Sequence, residues 1–232
     1  MKATSSLNHD DVMRVDAAIA HAEQQTSAEL VCAVATESGR YDRAESFIGL
    51  VAAIVALGLA HLGFDLSTRA ADPWSSASLG FPWQVLAITL GFLAGSLVAS
   101  YWHGLRRLFV RESEMAADVC QAAWQVFGST RIGATTGRSG VLIYLSLFER
   151  RVVVLADQLA ATALGEDQLA RLRDLAVELL RGQRVADACV AIVNDAAAVL
   201  AARLPADSAT RTEQLANHVL VFHPRPGSHS IR

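Results

Sequence analysis

Two long apolar stretches dominate the hydropathy pattern, one over 47–64 and one over 81–102. The second holds no charged residue, and as a helix it would be about 33 Å long, close to the ~30 Å hydrocarbon core of a bilayer. Neither stretch has the polar face of an amphipathic helix. They predict a transmembrane hairpin joined by an outer loop over 65–80. A pair of buried core helices is the alternative.

The pattern outside the hairpin predicts a mixed α/β fold. A β-branched run over 30–36 is apolar on both faces, which is typical of a central strand. Two further runs, 141–147 and 152–156, flank a charged turn and predict a β-hairpin. Helical periodicity predicts helices near 8–25, 166–181 and 185–204. These elements predict a small mixed sheet covered by helices.

The hairpin lies inside the sequence of this α/β fold. We therefore predict a discontinuous domain over 8–45 and 104–222. The membrane hairpin occupies 46–103 between its two parts. Two antiparallel spans return the chain to the same side of the membrane, so the domain can close around the insertion. Residues 223–232 are predicted to form a disordered tail.

Composition agrees with a membrane element and argues against a nucleic-acid partner. Hydrophobic residues make up 52% of the chain, and the mean hydropathy is +0.30. The net charge of −3 provides no bulk attraction for nucleic acid. The three cysteines, Cys32, Cys120 and Cys189, form no CxxC pair, so we interpret them as small buried residues.

Basic residues concentrate on one side of the predicted hairpin. They are Arg40 and Arg43 before the first stretch, and Arg106, Arg107 and Arg111 after the second. The connecting loop carries Arg69 against two acidic residues, and the first residues of the chain contain no apolar run typical of a signal peptide. By the positive-inside tendency, both termini and the globular domain are predicted to be cytoplasmic, with the hairpin in the plasma (inner) membrane.

Three stretches of the sequence resemble the TPM family of membrane-associated domains. The first is 18–34, which includes Thr26, Glu29 and Leu30. The second is TGRSGVLI at 136–143, followed by the Glu149-Arg150 turn and VLAD at 154–157. The third is 182–205. The resemblance implies an α/β sandwich often tethered to a membrane, and it implies acid phosphatase activity or calcium binding for some members.

The sequence contains no standard catalytic signature, so whether it is an enzyme is left open. A cysteine phosphatase needs Cys-x5-Arg, and none of the three cysteines has an arginine six positions later. An aspartyl-phosphate mechanism needs Asp-x-Asp after a strand, which is also missing. HExxH, P-loop, GxSxG and EF-hand patterns do not occur.

A group of oxygen-bearing residues near the predicted β-hairpin is the remaining candidate site. Asp157 is the candidate catalytic residue, and Glu29 and Asp157 are candidate ligands for Ca²⁺ or Mg²⁺. Thr136 and Arg138, in a loop with Thr135, are candidates for holding a phosphate. Beyond this candidate Ca²⁺ or Mg²⁺ ion, the sequence indicates no cofactor.

Each of these candidates also has a structural interpretation. Asp157 could instead cap the helix that follows it. Glu29 could bridge to a nearby arginine, and Arg138 could be a solvated loop residue. Glu149 and Arg150 are predicted to form an exposed turn pair.

Small residues recur every four positions in the second apolar stretch, at Gly91, Gly95 and Ala99. Alanines at 52, 56 and 60 do the same in the first. Such stripes permit close helix approach in membranes. They predict packing of the hairpin on itself, or alternatively contact with another membrane protein or a second copy.

Together these observations predict a membrane-tethered, TPM-like domain that acts as an interaction, assembly or maintenance factor for membrane protein complexes. Its predicted partners are the lipid bilayer and other membrane proteins. The alternative is a weak acid phosphatase that depends on a divalent metal and uses the Asp157 region.

Overall fold

The computed structural model describes residues 3–72, 74, 77–102, 107, 109–130, 132, 139–182, 184–206, 219–227 and 230–231. The chain divides into two compact units. One, the α/β unit, comprises Met1–Gly39 and Glu112–Arg232, and the other, the hairpin unit, comprises Arg40–Arg111. The α/β unit is thus discontinuous in sequence, with the hairpin unit inserted after its first strand.

A mixed sheet forms the centre of the α/β unit. Its strands are β1 (Leu30–Ala35), β2 (Val141–Ser146), β3 (Arg151–Ala156), β4 (Val219–Phe222) and β5 (Ser230–Ile231). Their spatial order is β3-β2-β1-β4-β5. Strand β1 pairs in parallel with both β2 and β4, whereas β3 and β5 join antiparallel at the two edges.

Strand β1 is central and buried along its whole length, as its apolar sequence predicts. Successive side chains alternate between the two faces. Leu30, Cys32 and Val34 contribute to one core cluster, and Val31 and Ala33 contribute to the other. The sheet is therefore covered on both sides, and the predicted antiparallel β2–β3 hairpin is confirmed.

More helices pack on one face of the sheet than on the other. The helices of this unit are α1 (Ala3–Ser6), α2 (His9–Glu23), α5 (Glu112–Ser129), α6 (Gln158–Leu164), α7 (Glu166–Arg181) and α8 (Val185–Arg203). Buried residues of α2, α6, α7 and α8 join the cluster on one face. Those of α5 join the cluster on the other, through Val119, Ala123 and Val126.

The hairpin unit consists mainly of two long helices, α3 (Asp42–Ala71) and α4 (Phe81–Tyr101). Helix α3 extends beyond the predicted span into the predicted loop 65–80. No glycine or proline interrupts the sequence between 64 and 72, and the hydroxyls of Ser67 and Thr68 donate to carbonyls one turn earlier in the helix. The connection between the helices is therefore shorter than predicted.

Three described helices are long and apolar enough to cross a membrane by length and composition: α3, α4 and α8. They differ in burial. Half of the apolar window of α8 is buried inside the α/β unit, compared with 17% in α3 and 6% in α4. Helix α8 is therefore a core helix of the α/β unit, whereas most residues in the apolar windows of α3 and α4 are not buried.

Candidate functional site

Four polar side chains cluster where strands β1 and β2 end. Ser38 follows β1, Tyr144 and Ser146 belong to β2, and Glu149 lies in the β2–β3 turn. Because β1 and β2 are parallel, their carboxyl ends meet at one edge of the sheet, where open α/β sheets commonly bind ligands. We call these four residues the carboxyl-edge cluster.

Glu149 is the charged centre of this cluster, and its side chain is 1% exposed. Its Oε1 accepts hydrogen bonds from the backbone N–H groups of Ser38, at 2.8 Å, and Gly39, at 3.3 Å. The hydroxyl of Ser146 donates to Oε2. These three donors offset the cost of burying the carboxylate.

The predicted exposed turn pair of Glu149 and Arg150 is wrong for Glu149. Arg150 is exposed and has a left-handed backbone, with φ 53°, whereas the Glu149 side chain points inward. Glu149 turns inward because the N–H groups of Ser38 and Gly39, which follow β1 in sequence, need hydrogen-bond acceptors. A carboxylate two positions before the second strand of the hairpin is placed to supply them.

Tyr144 and Ser38 complete the cluster, with Tyr144 fully buried and Ser38 half-buried. Their hydroxyl oxygens lie 3.0 Å apart, and the Ser38 hydroxyl also donates to Ser146 Oγ at 2.8 Å. Burial raises the pKa of the Tyr144 phenol, the charge of Glu149 adds to this, and the contact with Ser38 opposes it. The phenol therefore stays neutral. The result is a continuous hydrogen-bonded chain from a buried carboxylate to the half-buried Ser38.

The segment predicted to be a disordered tail, 223–232, contributes to this edge and differs from that prediction. The carbonyl of Pro224 accepts from the backbone N–H of Glu37 at 2.9 Å. The guanidinium of Arg225 donates to the carbonyl of Gly39 at 3.1 Å. The C-terminal segment therefore holds the stretch of chain that follows β1, and this pairing has no short-range sequence signal.

The sequence-predicted residues Glu29 and Asp157 lie at the opposite, amino edge of the parallel strands. Leu30 of β1, Val141 of β2 and Ala156 of β3 lie side by side across the sheet. Glu29 comes just before Leu30, and Asp157 comes just after Ala156. Glu29 and Asp157 thus lie at the same sheet edge, with strand β2 between them.

Asp157 is the N-cap of α6, so the structural interpretation of this residue is correct. Its Oδ1 accepts from the backbone N–H of Gln158 at 2.7 Å. Its Oδ2 is buried and has no hydrogen-bond partner among the described residues. The cap therefore uses one carboxylate oxygen and leaves the other unused by the described part of the chain.

The remaining predicted ligands, Thr135, Thr136 and Arg138, lie outside the described residues. Within the described ranges, no group of three or more His, Cys, Asp or Glu side chains is arranged to hold a metal ion. The proposed Ca²⁺ or Mg²⁺ ligation by Glu29 and Asp157 remains a prediction.

The predicted small-residue stripe of α4 lies against α3. A Cβ atom placed on Gly91 would lie 2.6 Å from the Cβ of Ala56 and 2.9 Å from the carbonyl oxygen of Ala52. One placed on Gly95 would lie 3.1 Å from the carbonyl oxygen of Ile48. Gly95 is buried, as is Ala99 one turn later. Small residues thus allow the two backbones to approach within the hairpin unit.

Comparisons with known proteins bear on the fold. The sequence matches no known protein family and no curated protein. The NMR structure of the BA42 protein from the psychrophilic bacterium Bizionia argentinensis is similar, with a TM-score of 0.53 over 93% of this chain and 95% of that chain. The two sequences are 14% identical, so this likeness concerns the fold alone. The TPM resemblance remains a prediction.

The carboxyl-edge cluster was missed by sequence reasoning, although a signal for it exists. Tyr144 and Ser146 are polar positions in a strand whose other residues are apolar, and Glu149 follows three residues after Ser146. Polar atoms in a fully buried strand need partners. An acceptor within reach of Ser146 could therefore have been sought in the turn.

Proposed function

We propose that the hairpin unit inserts into the plasma membrane and tethers the α/β unit. There the α/β unit binds other membrane proteins as an assembly or maintenance factor. The observation that carries the proposal is the exposure of large apolar side chains along α3 and α4. Ile54, Leu59 and Leu66 are each 63% exposed on α3, and Leu90 and Leu97 are 57% and 58% exposed on α4.

Solvation explains why these side chains belong in lipid. Moving a Leu, Ile or Phe side chain out of water contributes about 1.5–3 kcal/mol. Because small residues occupy the contact between α3 and α4, the large residues face away from it over several turns of each helix. Soluble monomers rarely expose an apolar surface of this extent.

Exposed aromatic and basic residues at the ends of the hairpin unit also support its insertion into a membrane. Trp83 near the start of α4 is 64% exposed, and Tyr101 and Trp102 near its end are 79% and 68% exposed. Amphipathic rings are favoured at the two membrane interfaces. Exposed Arg40 lies just before α3, and exposed Arg43 lies in its first turn. Basic residues at this end of the hairpin unit support a cytoplasmic α/β unit.

Binding is favoured over catalysis because the charged centre of the carboxyl edge is already occupied. Glu149 accepts three hydrogen bonds from its own chain, and Tyr144 is neutral and buried. A general base must reach a substrate proton. The cluster instead fixes the chain after β1.

Accessibility of two thiols tests the proposed placement. Ser78 is exposed in the α3–α4 connection, and native Cys120 is exposed in the α/β unit, so the prediction of a buried residue is wrong for Cys120. In intact cells, a membrane-impermeant maleimide is expected to label Ser78→Cys and to leave Cys120 unlabelled until the cells are lysed. Labelling of Cys120 in intact cells would reverse the orientation. Full release of the protein from membranes by alkaline carbonate would contradict insertion.

The second candidate, a metal-dependent acid phosphatase, is favoured by the buried Asp157 Oδ2. Asp157→Asn preserves helix capping because asparagine caps as well as aspartate, but it removes the charge. If the region is catalytic, this variant loses phosphatase turnover of p-nitrophenyl phosphate measured with Ca²⁺ or Mg²⁺, while its melting temperature stays near that of the native chain. Turnover that is equal in the two proteins would exclude Asp157 from the chemistry.

A further inference from the structure

The two ends of the hairpin unit differ in charge. Four described arginines lie before α3, in its first turn or after α4: Arg40, Arg43, Arg107 and Arg111. Two acidic residues, Asp42 and Glu45, accompany them, which leaves an excess of two positive charges. The opposite end carries Arg69 against Asp65 and Asp72, an excess of one negative charge. We call the end with the four arginines the arginine end.

A contact between two rings joins the first and last segments of the hairpin unit at the arginine end. Phe109, which lies between Arg107 and Arg111 in sequence, packs against Phe47 of α3, with ring centroids 5.5 Å apart. Arg43 lies four residues before Phe47 and is therefore on the same side of α3. The rings of Phe47 and Phe109 are 50% and 47% exposed. Cationic side chains and exposed apolar rings thus occur together, a combination suited to the boundary between lipid headgroups and acyl chains.

The guanidinium groups of the arginine end are not used by the described part of the chain. Within that part, none of the four forms an ion pair or a side-chain hydrogen bond. Three of them are exposed: Arg40, Arg43 and Arg111. Arg14 of α2, by contrast, lies 2.9 Å from a carboxylate oxygen of Asp187. The positive charge of the arginine end is therefore available to an anion from outside the protein.

An open apolar groove of about 400 Å³ lies along the last turns of α4. Its lining residues are Leu97, Val98, Tyr101 and Trp102. The hydroxyl of Ser100, in the same turns, donates to Oε2 of Glu45 in the first turn of α3 at 3.0 Å, so the groove is at the arginine end. An apolar groove beside unpaired arginines suits a molecule with an anionic head and a hydrocarbon tail.

We propose that the arginine end binds an anionic phospholipid, whose phosphate contacts the arginines and whose acyl chain lies in the groove. Guanidinium groups bind phosphate through paired N–H donors, and clusters of basic residues beside a membrane helix recognise anionic lipids. A zwitterionic lipid carries its own cation, which the excess positive charge disfavours. An acidic protein segment would leave the groove unfilled. This lipid site rests on the proposed membrane insertion.

Trp102 lines the groove, so its fluorescence can report the bound lipid. A parent chain with Trp74→Phe, Trp83→Phe and Trp124→Phe keeps Trp102 as its single tryptophan. This chain is reconstituted into phosphatidylcholine vesicles that contain equal fractions of either brominated phosphatidylglycerol or brominated phosphatidylcholine. Bromine quenches indole fluorescence on contact. We expect stronger quenching by brominated phosphatidylglycerol, because its headgroup is anionic.

Matched variants of this chain separate the arginine end from net charge. An arginine near an anionic lipid surface contributes about fivefold to binding. Arg43→Gln and Arg111→Gln are therefore each expected to lower the preference for phosphatidylglycerol over phosphatidylcholine about fivefold. Arg69→Gln removes the same charge from an exposed arginine in the last turn of α3, at the opposite end, and should leave the preference unchanged. Circular dichroism confirms that each variant is folded.

Other outcomes would overturn the lipid site. These are equal quenching by the two brominated lipids, quenching by neither, a preference that Arg43→Gln and Arg111→Gln leave unchanged, or an equal loss in Arg69→Gln. The carbonate wash distinguishes the two proposals. A chain that the wash leaves in the membrane but that shows no lipid preference overturns the lipid site alone, whereas a chain released by the wash overturns the insertion.

Discussion

Replacing Gly91 with leucine is expected to separate the two helices of the hairpin unit and to destabilise it by about 3 kcal/mol, at the upper end of the range for overpacking. The first added atom would already lie 2.6 Å from the Cβ of Ala56, and backbone atoms of Ala52 and Ala53 lie 2.9 Å from that position. Backbone cannot move aside as a flexible side chain can. The midpoint of thermal aggregation in mild detergent is expected to fall by several degrees.

Gly58 provides the matched control for this change. It also lies in a long apolar helix, α3, but a Cβ at this position meets nothing within 4 Å. Gly58→Leu gains the same helix propensity as Gly91→Leu and adds a side chain that faces away from the α3–α4 contact. Its midpoint should equal or exceed that of the native chain. Equal losses in the two variants would show that the glycine contact does not determine hairpin stability.

Glu149→Ala is expected to destabilise the α/β unit by about 3–5 kcal/mol. The change removes one buried carboxylate and leaves the N–H groups of Ser38 and Gly39 and the hydroxyl of Ser146 without their acceptor. Urea unfolding of the detergent-solubilised chain, followed by circular dichroism, measures the loss. Amide hydrogen exchange at Ser38 and Gly39 should accelerate before the rest of the unit unfolds.

Two neighbouring variants show whether the loss comes from the hydrogen bonds. Glu149→Gln retains one carbonyl oxygen as an acceptor, so its expected cost is about 1–2 kcal/mol. Arg150→Gly changes the adjacent exposed residue, whose φ of 53° suits glycine, and should be neutral or slightly stabilising. A cost for Arg150→Gly that matches Glu149→Ala would assign the effect to the turn backbone and not to the carboxylate.

Periodic elements of the fold were predictable from sequence because burial imposes a pattern on them. Strand β1 is apolar at every position, and it is buried at every position between two covered faces. The paired runs around the charged turn fold as β2 and β3. The pairing of β1 with β4 could not be predicted, because parallel strands far apart in sequence share no local signal.

The candidate site was less predictable, because the decisive contacts join distant parts of the chain. Glu149 resembles an ordinary charged turn residue in sequence, and its acceptor role depends on N–H groups more than a hundred residues earlier. Asp157 was predictable as a cap, because capping is local and leaves a sequence signature. Local hydrogen bonds can be inferred from spacing, whereas long-range ones need the fold.

The insertion of the hairpin unit after β1 fixes an order of events during synthesis. The ribosome makes β1 first, then α3 and α4, and only afterwards the strands β2 and β4 that flank β1. With β2 emerging roughly 100 residues later, at about 5–20 residues per second, β1 waits on the order of 5–20 seconds for its first neighbour. Under the proposed insertion, the apolar helices are thus available to the membrane before the sheet can close. A nascent chain stalled between α4 and β2 would expose a fully apolar strand to chaperones.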